Sequence, residues 1–380
     1  MAGISESSIL ISHMENIEVW GHDMRTQFCE QVVHGTLAGH PVLLVTTGIG
    51  HDRAGLCLRG LLSVYHKSTR EILFIGTGGI SPAKGGIVNS DNCSAVSPAA
   101  ETETTLIGDV CVSAMAANWD CHQCSWPQRV ESACGPLPCH MFGRADLFGD
   151  WGCMYITDAA LADEVLEASQ TLDLPKPSAA LRETIDHFWH GMSVGTGEPY
   201  SDHLRSNPRI FDYTECAEAT SNTFWVGTPY DELGRIYVAD IINSAFHGDL
   251  YTKAYIPKRT LSSPRTKRDT VSFSAMEGAG WMEVIALEEV YLHYDPIPAV
   301  NIRGAADYVT PPLQRSKNGN WDEMSSYMES LSGGDNLTVL GYGFAIETTS
   351  QIVLNLFQHR SALLMDGASP RSNVRRRVGR

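Results

Sequence analysis

A glycine turn early in the chain has the residue types needed to bind an anion. Gly48 and Gly50 follow an apolar segment and precede a segment whose apolar residues have helical spacing. Glycines at such a turn let backbone N–H groups approach an anion, and the start of the helix adds partial positive charge. We therefore predict a site for a compact anion or a water molecule at this turn, with Arg53 as the cationic side chain that follows it.

The same turn also fits the G-x-G-x-x-x-A pattern of dinucleotide-binding folds. Such folds place a carboxylate at the end of the second strand, where it binds the ribose hydroxyl groups. Here the second predicted strand, at 71–76, runs into Thr77, Gly78 and Gly79, which we interpret as a second glycine turn. Two such turns at the ends of adjacent strands would border one crevice, which favours a compact anion or water beside a sugar over a dinucleotide.

Two later segments bring carboxylates to the ends of predicted elements. Met276 and Glu277 open a predicted helix, where an ionised carboxylate is stabilised and can accept both hydrogen bonds of a ribose diol. Arg303 and Asp307 follow a buried strand, at the end where an acid can protonate a leaving group that an arginine orients. Each pair also has a plain structural explanation, a helix-terminal charge for Glu277 and a salt-bridged loop for Asp307.

The apolar pattern predicts a scaffold of alternating strands and helices around these positions. Short apolar runs bounded by Gly, Pro or Asn predict strands buried on both faces, at 41–46, 71–76, 109–114 and 298–303. Apolar residues at helical spacing predict helices at 52–66, 158–172, 178–189, 276–291 and 347–359. Residues 206–267 lack a clear period and are predicted to be irregular. The alternation predicts a layered α/β domain with a largely parallel central sheet.

The composition excludes several classes of protein. The chain has 380 residues, 43% of them hydrophobic and 19% charged, which is typical of a globular protein. No apolar run reaches 18 residues and the first residues lack the pattern of a signal peptide, so we expect a soluble chain with no membrane partner. The net charge is −16, and removing the five arginines of the last ten residues leaves −21. So acidic a surface disfavours nucleic acid as a partner.

The cysteines mark a predicted insertion. We predict one domain over 1–365, with a cysteine-rich insertion at about 83–153 and a flexible basic tail at 366–380. Seven of the ten cysteines lie in the insertion, where their spacing fits zinc poorly and favours disulfides, although reduced thiols explain them nearly as well. Two N-x-S/T sites, at Asn92 and Asn336, suit a secretory route. If the cysteines are bonded, a secreted or vacuolar location is slightly favoured over a cytoplasmic one.

Five segments in a fixed order give the sequence a specific resemblance. They lie at 39–50, 75–82, 107–113, 276–279 (Met-Glu-Gly-Ala) and 302–307 (Ile-Arg-Gly-Ala-Ala-Asp). In this order they resemble the nucleoside phosphorylase superfamily, which includes purine nucleoside and uridine phosphorylases, methylthioadenosine/adenosylhomocysteine nucleosidases and plant bark storage proteins. The resemblance covers about 37–114 and 190–365. It implies a three-layer α/β fold with a mixed, largely parallel sheet, a small nucleoside as ligand, no cofactor and a homo-oligomer.

The resemblance also implies a role for each candidate residue. Asp307 is implied to be the general acid that protonates the departing purine, with Arg303 preceding it in the strand. Ligand contacts are implied for ribose at Met276 and Glu277, for phosphate or water at Gly48, Gly50 and Thr77, and for the base at Gly78, Gly79 and Tyr200. Tyr200 is the aromatic residue expected to stack on the base.

Departures from the family pattern bear on the choice of reaction. Phosphorylases of this family carry an arginine for phosphate in the second strand, where this chain has Phe74 and Ile75, although Arg53 could substitute. The family's hydrolases use an N-terminal glutamate to activate water, and here a first strand predicted at 8–18 offers only Glu15 or Glu18 as a poor match. We therefore expect N-glycosidic cleavage by hydrolysis or phosphorolysis, with inorganic phosphate as a possible co-substrate and a slight preference for water.

Two other functions stay open on the sequence. A storage or nucleoside-binding protein of the same fold would keep part of the pocket, but it has no need of the two carboxylates Glu277 and Asp307. A dinucleotide-dependent oxidoreductase lacks the ribose-binding acid. Cleavage of a nucleoside, with a purine nucleoside as the first candidate, accounts for more of these residues than either alternative.

Overall fold

The computed structural model describes most of the α/β scaffold and parts of the connecting segments. The described residues are 3–20, 27–89, 94–95, 103–118, 120, 122–123, 130–132, 135–137, 140–141, 154–157, 159–193, 197–222, 226–247, 259–292, 297–315, 321–323 and 336–365. Their α-helices are α1 (Ile4–Ser12), α2 (His51–Tyr65), α3 (Ala159–Ala168), α4 (Ala179–Phe188), α5 (Thr228–His247), α6 (Gly278–Leu292) and α7 (Asn336–Met365). A short 3-10 helix spans Tyr200–His203.

The strands of the described residues are of two kinds, those of the two main sheets and those of small two-stranded pairs. The main strands are β1 (Met14–Val19), β2 (Gln31–Leu37), β3 (His40–Thr46), β4 (Ile72–Ile80), β7 (Val110–Ser113), β8 (Met115–Asn118), β13 (Met154–Ile156), β14 (Ile210–Asp212), β15 (Cys216–Thr220), β16 (Val271–Ala275) and β17 (Ala299–Tyr308). The paired short strands are β5 (Val88–Asn89), β6 (Ser94–Ala95), β9 (His122–Gln123), β10 (Val130–Ser132), β11 (Gly135–Leu137), β12 (His140–Met141), β18 (Leu313–Arg315) and β19 (Trp321–Glu323).

An eight-stranded mixed sheet carries the candidate site. Its strand order is β13-β8-β15-β16-β4-β17-β7-β14. Neighbours pair in parallel at β8–β15, β15–β16, β4–β17 and β7–β14, and antiparallel at the other three contacts. β1, β2 and β3 form a separate antiparallel sheet. The predicted α/β fold with a mixed, largely parallel central sheet is confirmed.

Helices cover both faces of the eight-stranded sheet. In β4, Phe74 stacks on Trp281 of α6 and packs with Ala54 of α2, whereas the next residue, Ile75, packs in a cluster with residues of α3, α5 and α7. Successive side chains of a strand point to opposite faces, so β4 packs against two layers of helices. All ten residues of β17 are buried, as expected for a strand covered on both faces.

Each strand and helix that the apolar pattern predicts has a counterpart in the structure. The strands correspond to β3, β4, β7 and β17, and the helices to α2, α3, α4, α6 and α7. The largest difference in length is at α7, which begins at Asn336 rather than at 347. Gly341 and Gly343 in its first turns have low helix propensity, and packing of this part of α7 against β17 overrides that preference.

The prediction that 206–267 is irregular is wrong, because α5 lies within it. Two charged residues of this helix, Asp231 and Arg235, are buried. Nε of Arg235 lies 3.2 Å from Oδ2 of Asp231. Asp231 also accepts a hydrogen bond from the hydroxyl of Ser81. Buried charges occupy positions where an amphipathic helix has apolar residues, so they hide the helical period from the sequence pattern.

The prediction of one strand at 8–18 is also wrong. Residues 8–12 belong to α1, and only the part of the segment from Met14 onward is a strand, β1. The apolar run 9–11 favours a strand, yet the buried residues here are Glu6, Ser7 and Leu10, which share one face of a helix. Because two of these three residues are polar, the helical period is not visible in hydrophobicity alone.

The segment interpreted as a second glycine turn is part of a strand. β4 continues through 77–79 and pairs with β17 along its length. A Cβ at Gly76 would overlap the guanidinium of Arg303, and one at Gly78 would crowd the carbonyl oxygen of Ser274. These glycines therefore allow close packing of neighbouring strands. The prediction of two turns on adjacent strands is wrong, since β3, which leads to the first turn, belongs to the other sheet.

The described cysteines form two disulfides. Cys29 bonds Cys57, and Cys111 bonds Cys216. The second bond joins β7 to β15, two strands of the central sheet that are not neighbours. The other six cysteines, including those considered for zinc, lie outside the described residues. Disulfides within the insertion therefore stay a prediction.

Candidate functional site

A carboxylate lies between the N-termini of two helices. Glu277 precedes α6, and its carbonyl oxygen accepts hydrogen bonds from the N–H groups of Gly280 and Trp281. Its side chain reaches α2, where Oε1 accepts the N–H of Gly50 at 3.2 Å. Gly50 has a φ of 101°, which glycine adopts without strain. Both helix N-termini stabilise a negative charge at this point.

Arg303 contacts Glu277 from the opposite side. Its Nη2 lies 3.2 Å from Oε2 of Glu277, and its guanidinium donates to Glu218 through Nε at 2.7 Å and Nη2 at 3.2 Å. Glu218 also accepts hydrogen bonds from the side chain of Asn301 and the N–H of Gly278. Arg303 is 1% exposed. Since two carboxylates pair with its guanidinium, its charge is already neutralised.

A third buried carboxylate reaches the same place from α1. Glu6 is 2% exposed, and its Oε1 accepts hydrogen bonds from the N–H of Thr77 at 3.2 Å and from its Oγ1 at 3.0 Å. Oε2 accepts the N–H of Gly3 at 3.2 Å. Thr77 follows Gly76, which pairs with Arg303 across the two strands. Glu6, Thr77 and Arg303 therefore meet at one point of the sheet.

Burial and the charge of Arg303 shift the pKa of Glu277 in opposite directions. Burial raises the pKa of Glu277, and the charges of Glu218 and Glu6 add to this rise, which exceeds the lowering caused by Arg303 and the N–H of Gly50. Burial alone would lower the pKa of Arg303, but the carboxylates outweigh it and raise that pKa. The cluster thus combines one permanent cation with three carboxyl groups.

Asp307 lies farther along the same strand. β17 has an irregularity in its register between Ala305 and Asp307, and Asp307 pairs with Gly79, whereas Arg303 pairs with Gly76. Such a bulge re-aims the side chain that follows it. Asp307 is 8% exposed. The three residues from Gly76 to Gly79 span roughly 10 Å of strand, so Asp307 and the carboxylate cluster lie at the two ends of one short stretch of β4.

The stretch between these two ends has little side-chain bulk. Ser274 of β16 pairs with Gly79, so the chain after β16 runs back along β4 and brings Met276 beside Gly78 and Thr77. Met276, Gly78 and Thr77 are only partly buried, although most of their strand neighbours are fully buried. Met276, Thr77 and Gly78, three of the residues predicted to contact the ligand, thus lie together between the carboxylates.

The glycine turn at Gly48 is covered by an ion pair. Arg53 is 66% exposed and its Nη1 lies 3.1 Å from Oε1 of Glu30. A Cβ at Gly48 would approach the side chain of Arg53 to 2.8 Å. An exposed pair of this kind contributes little to stability and is screened by salt. Arg53 therefore lies on the outer side of the turn, with its charge directed at Glu30.

Tyr200 lies in an aromatic core cluster. It is fully buried, its hydroxyl donates to the carbonyl oxygen of Pro82 at 2.8 Å, and its ring centroid is 4.4 Å from that of Trp189. Trp189 in turn contacts Tyr308, the neighbour of Asp307 in β17. Burial raises the pKa of Tyr200, so its phenol is neutral. Its stacking on a base stays a prediction.

The comparisons with known proteins find similarity among solved structures. The chain is similar to the 5′-methylthioadenosine/S-adenosylhomocysteine nucleosidase of Neisseria meningitidis in complex with methylthio-immucillin-A, at 13% identity and a TM-score of 0.48, over 94% of this chain and 96% of that one. It is similar to the corresponding nucleosidase of Colwellia psychrerythraea in complex with adenine, at 15% identity and a TM-score of 0.45, over 94% and 91%. A third is futalosine hydrolase of Helicobacter pylori, at 10% identity and a TM-score of 0.46, over 94% and 95%.

Two of these three are named as methylthioadenosine/adenosylhomocysteine nucleosidases, one of the groups that the sequence motifs resemble. No family model matches the chain, and no curated protein matches it. At identities this low, the activity has to be argued from the chain's own residues.

A polar network fixes the loop after β15, beside the N-terminus of α2. His51 donates its N–H to Oδ1 of Asn222 at 2.9 Å, and its Nε2 lies 2.7 Å from Oγ1 of Thr220. Asp120 accepts hydrogen bonds from the hydroxyl of Ser221 and the N–H of Asn222. Burial lowers the pKa of His51, so its ring is neutral. Since Asp120 lies just after β8, the segments that follow the neighbouring strands β8 and β15 are joined by these hydrogen bonds.

Sequence reasoning missed Glu6 and Glu218. The N-terminal candidates Glu15 and Glu18 lie exposed on β1. Glu6 had one available signal: it lies three residues after Gly3 and returns a hydrogen bond to its N–H, as in a capping box. Glu218 had another, because a lone acid within a run of small residues in a buried strand requires a partner.

Proposed function

We propose that this protein hydrolyses the N-glycosidic bond of a nucleoside, with a purine nucleoside as the first candidate substrate. The observation that carries the proposal is the buried cluster of Glu6, Arg303 and Glu277, because its Arg303 lies on the same strand, β17, as Asp307. The cluster and Asp307 are separated by about 10 Å of strand, which suits a ligand with its sugar at one end and its base at the other. Glu277 would accept the ribose hydroxyls, and Arg303 would hold Glu277 in place.

In the proposed reaction one carboxyl group acts on each side of the scissile bond. Glu6 accepts a proton from water as the water oxygen bonds to the anomeric carbon of the sugar. The bond from that carbon to the base nitrogen breaks, and the base takes a proton from Asp307. The negative charge of Glu277 stabilises the positive charge that develops on the sugar. The products are the free base and the free sugar, and solvent carries the proton gained by Glu6 back to Asp307.

The charges of the cluster favour water over phosphate as the nucleophile. Glu6, Glu218 and Glu277 outnumber Arg303, whose guanidinium already pairs with two of them. The N–H of the glycine turn donates to Glu277, so it is occupied by a carboxylate as well. A phosphate dianion would be repelled at this point, whereas a neutral water molecule would not. Inorganic phosphate is therefore not proposed as a co-substrate, and no cofactor is proposed.

The location of the protein is part of the same proposal. The two disulfides of the described residues form and persist in oxidising compartments, which favours a secreted or vacuolar protein. No helix in the described part of the chain is long and apolar enough to cross a membrane. A homo-oligomer, implied by the sequence resemblance, stays a prediction.

A nucleoside panel tests the proposed activity. Adenosine, inosine, methylthioadenosine and uridine are each incubated with the protein, with and without inorganic phosphate, and the release of free base is measured. We expect release from a purine nucleoside at the same rate in both conditions. Release that requires phosphate would identify a phosphorylase, and no release from any substrate would favour a storage or binding protein.

Two aspartate variants refine this test. Asp307→Asn should lower turnover by about 100-fold or more, the usual effect of losing a general acid. Asp173→Asn is the matched control, since Asp173 is exposed on the segment between α3 and α4. Equal turnover in the two variants would remove Asp307 from the reaction.

A further inference from the structure

One turn of α7 contacts both ends of the candidate site. A Cβ at Gly341 would overlap the carbonyl oxygen of Ala306, which directly precedes Asp307 in β17. The next residue of the helix, Tyr342, extends toward α1, where its hydroxyl oxygen lies 3.3 Å from Oγ of Ser5. The contact of Gly341 fixes where α7 begins along β17. The position of Tyr342 is therefore determined by the strand that carries Asp307.

The hydroxyl of Tyr342 reaches the carboxylate of Glu6. The phenol lies at the first turn of α1 beside Gly3 and Ser5, where Glu6 accepts the N–H of Gly3, and a hydrogen bond with Glu6 contributes to the raised pKa of Tyr342. An ionised carboxylate only accepts, so Tyr342 is the donor of this bond. Burial raises the pKa of Tyr342 to about 12, with the charges of Glu6 and Glu277 adding to the rise, and the phenol keeps its proton at neutral pH. A Cβ at Gly3 would lie only 3.1 Å from the hydroxyl oxygen, so glycine leaves room for it.

Glu6 is thus held from two sides by different elements. Thr77 donates to it twice from β4, and Tyr342 donates from α7. A carboxylate on a helix rotates about its side-chain bonds unless its oxygens are fixed. Donors on two elements restrict this rotation and fix the direction in which the carboxylate points.

We propose that Tyr342 is a positioning residue for Glu6, which it orients and keeps ready to accept the proton of the attacking water. This inference rests on the proposed hydrolysis. Tyr342 acts through Glu6 and does not contact the nucleoside in this account. Its removal takes away one donor to Glu6, while those of Thr77 and Gly3 remain.

The variant Tyr342→Phe tests the inference in the full chain. Loss of a hydrogen bond to a charged group should lower kcat for base release by about 10- to 100-fold. KM should change by less than about threefold, because ground-state binding of the nucleoside does not involve the phenol. Tyr65→Phe is the matched control with unchanged kcat, since Tyr65 lies on α2 and packs against Trp20. Circular dichroism and thermal unfolding establish that both variants are folded.

A double-mutant cycle with Glu6→Gln separates positioning from a general structural effect. If Tyr342 acts through Glu6, Tyr342→Phe should change kcat by less than about twofold in the Glu6→Gln background. An equal fold-loss in both backgrounds, a change in KM alone, or unchanged kcat in Tyr342→Phe overturns the inference while the hydrolysis stands. If the wild-type protein releases no base from any nucleoside, the proposed function fails and this inference fails with it.

Discussion

At the scale of single residues, the candidate site is a set of charges kept away from water. Glu6, Glu218 and Glu277 are buried around one cation, Arg303. Moving an ion out of water costs several kcal/mol even after relaxation, and a buried ion pair often stabilises a fold no better than apolar residues would. Such a cluster is therefore better explained by chemistry that needs carboxylates than by stability.

The raised pKa of Glu277 predicts that nucleoside affinity falls as the pH is lowered. Because burial raises this pKa, the carboxyl group takes up a proton at a higher pH than an ordinary glutamate, and the protonated form no longer accepts both ribose hydroxyls. In the Asp307→Asn protein, where turnover is suppressed, the Kd for adenosine or inosine should rise by about tenfold for each pH unit below this pKa.

Calorimetric titration between about pH 4 and pH 8 measures this dependence. Adding Glu277→Gln to Asp307→Asn should weaken binding at neutral pH and flatten the profile. A profile that keeps its slope in the double variant would show that another group controls binding.

At the scale of elements, α7 fixes the relative position of the two ends of the site. Its buried Gly341 lies against β17, and its side chain at Tyr342 reaches α1. Gly343, two residues later, has no atom within 4 Å of the position where a Cβ would stand. The two glycines have the same intrinsic helix propensity, but Gly341 is crowded by β17 whereas Gly343 faces open space.

Alanine substitutions at these two glycines should have opposite effects. Gly341→Ala forces α7 away from the Ala306 carbonyl, which should lower the free energy of unfolding by about 1 to 3 kcal/mol and reduce turnover. Gly343→Ala adds a methyl group in open space on a helix and should raise the free energy of unfolding by about 0.5 to 1 kcal/mol. Urea unfolding of both variants checks the signs. Equal effects would show that α7 does not pack closely on β17.

The elements also show what the sequence could predict. The unit β3–α2–β4 and the strand β17 have continuous apolar runs or clear helical spacing, so both were predictable. α1 and α5 were missed because buried polar residues such as Glu6 and Asp231 stand on their inner faces. The contact of Glu6 with Thr77 joins residues 71 positions apart, and no local pattern reports such a contact. Glu277 and Asp307 could be proposed from the sequence because they stand at or near element ends, where local signals exist.

At the scale of the whole molecule, the acidic site lies in an acidic chain. The net charge of −16 and the three carboxylates of the cluster both oppose the approach of an anion. A neutral nucleoside and water meet no such opposition. The disulfide from Cys111 to Cys216 links β7 to β15, so a covalent bond as well as packing holds the central sheet together around the site.

The most direct test of the central claim, hydrolysis with Glu6 as the base, is the turnover of Glu6→Gln against that of Glu15→Gln. Both variants remove one negative charge from the molecule, but Glu6 is buried beside Thr77 whereas Glu15 lies exposed on β1. With the purine nucleoside that wild type cleaves, and without phosphate, kcat should fall by about 100-fold or more in Glu6→Gln and stay at the wild-type value in Glu15→Gln. Wild-type turnover in Glu6→Gln would contradict the account.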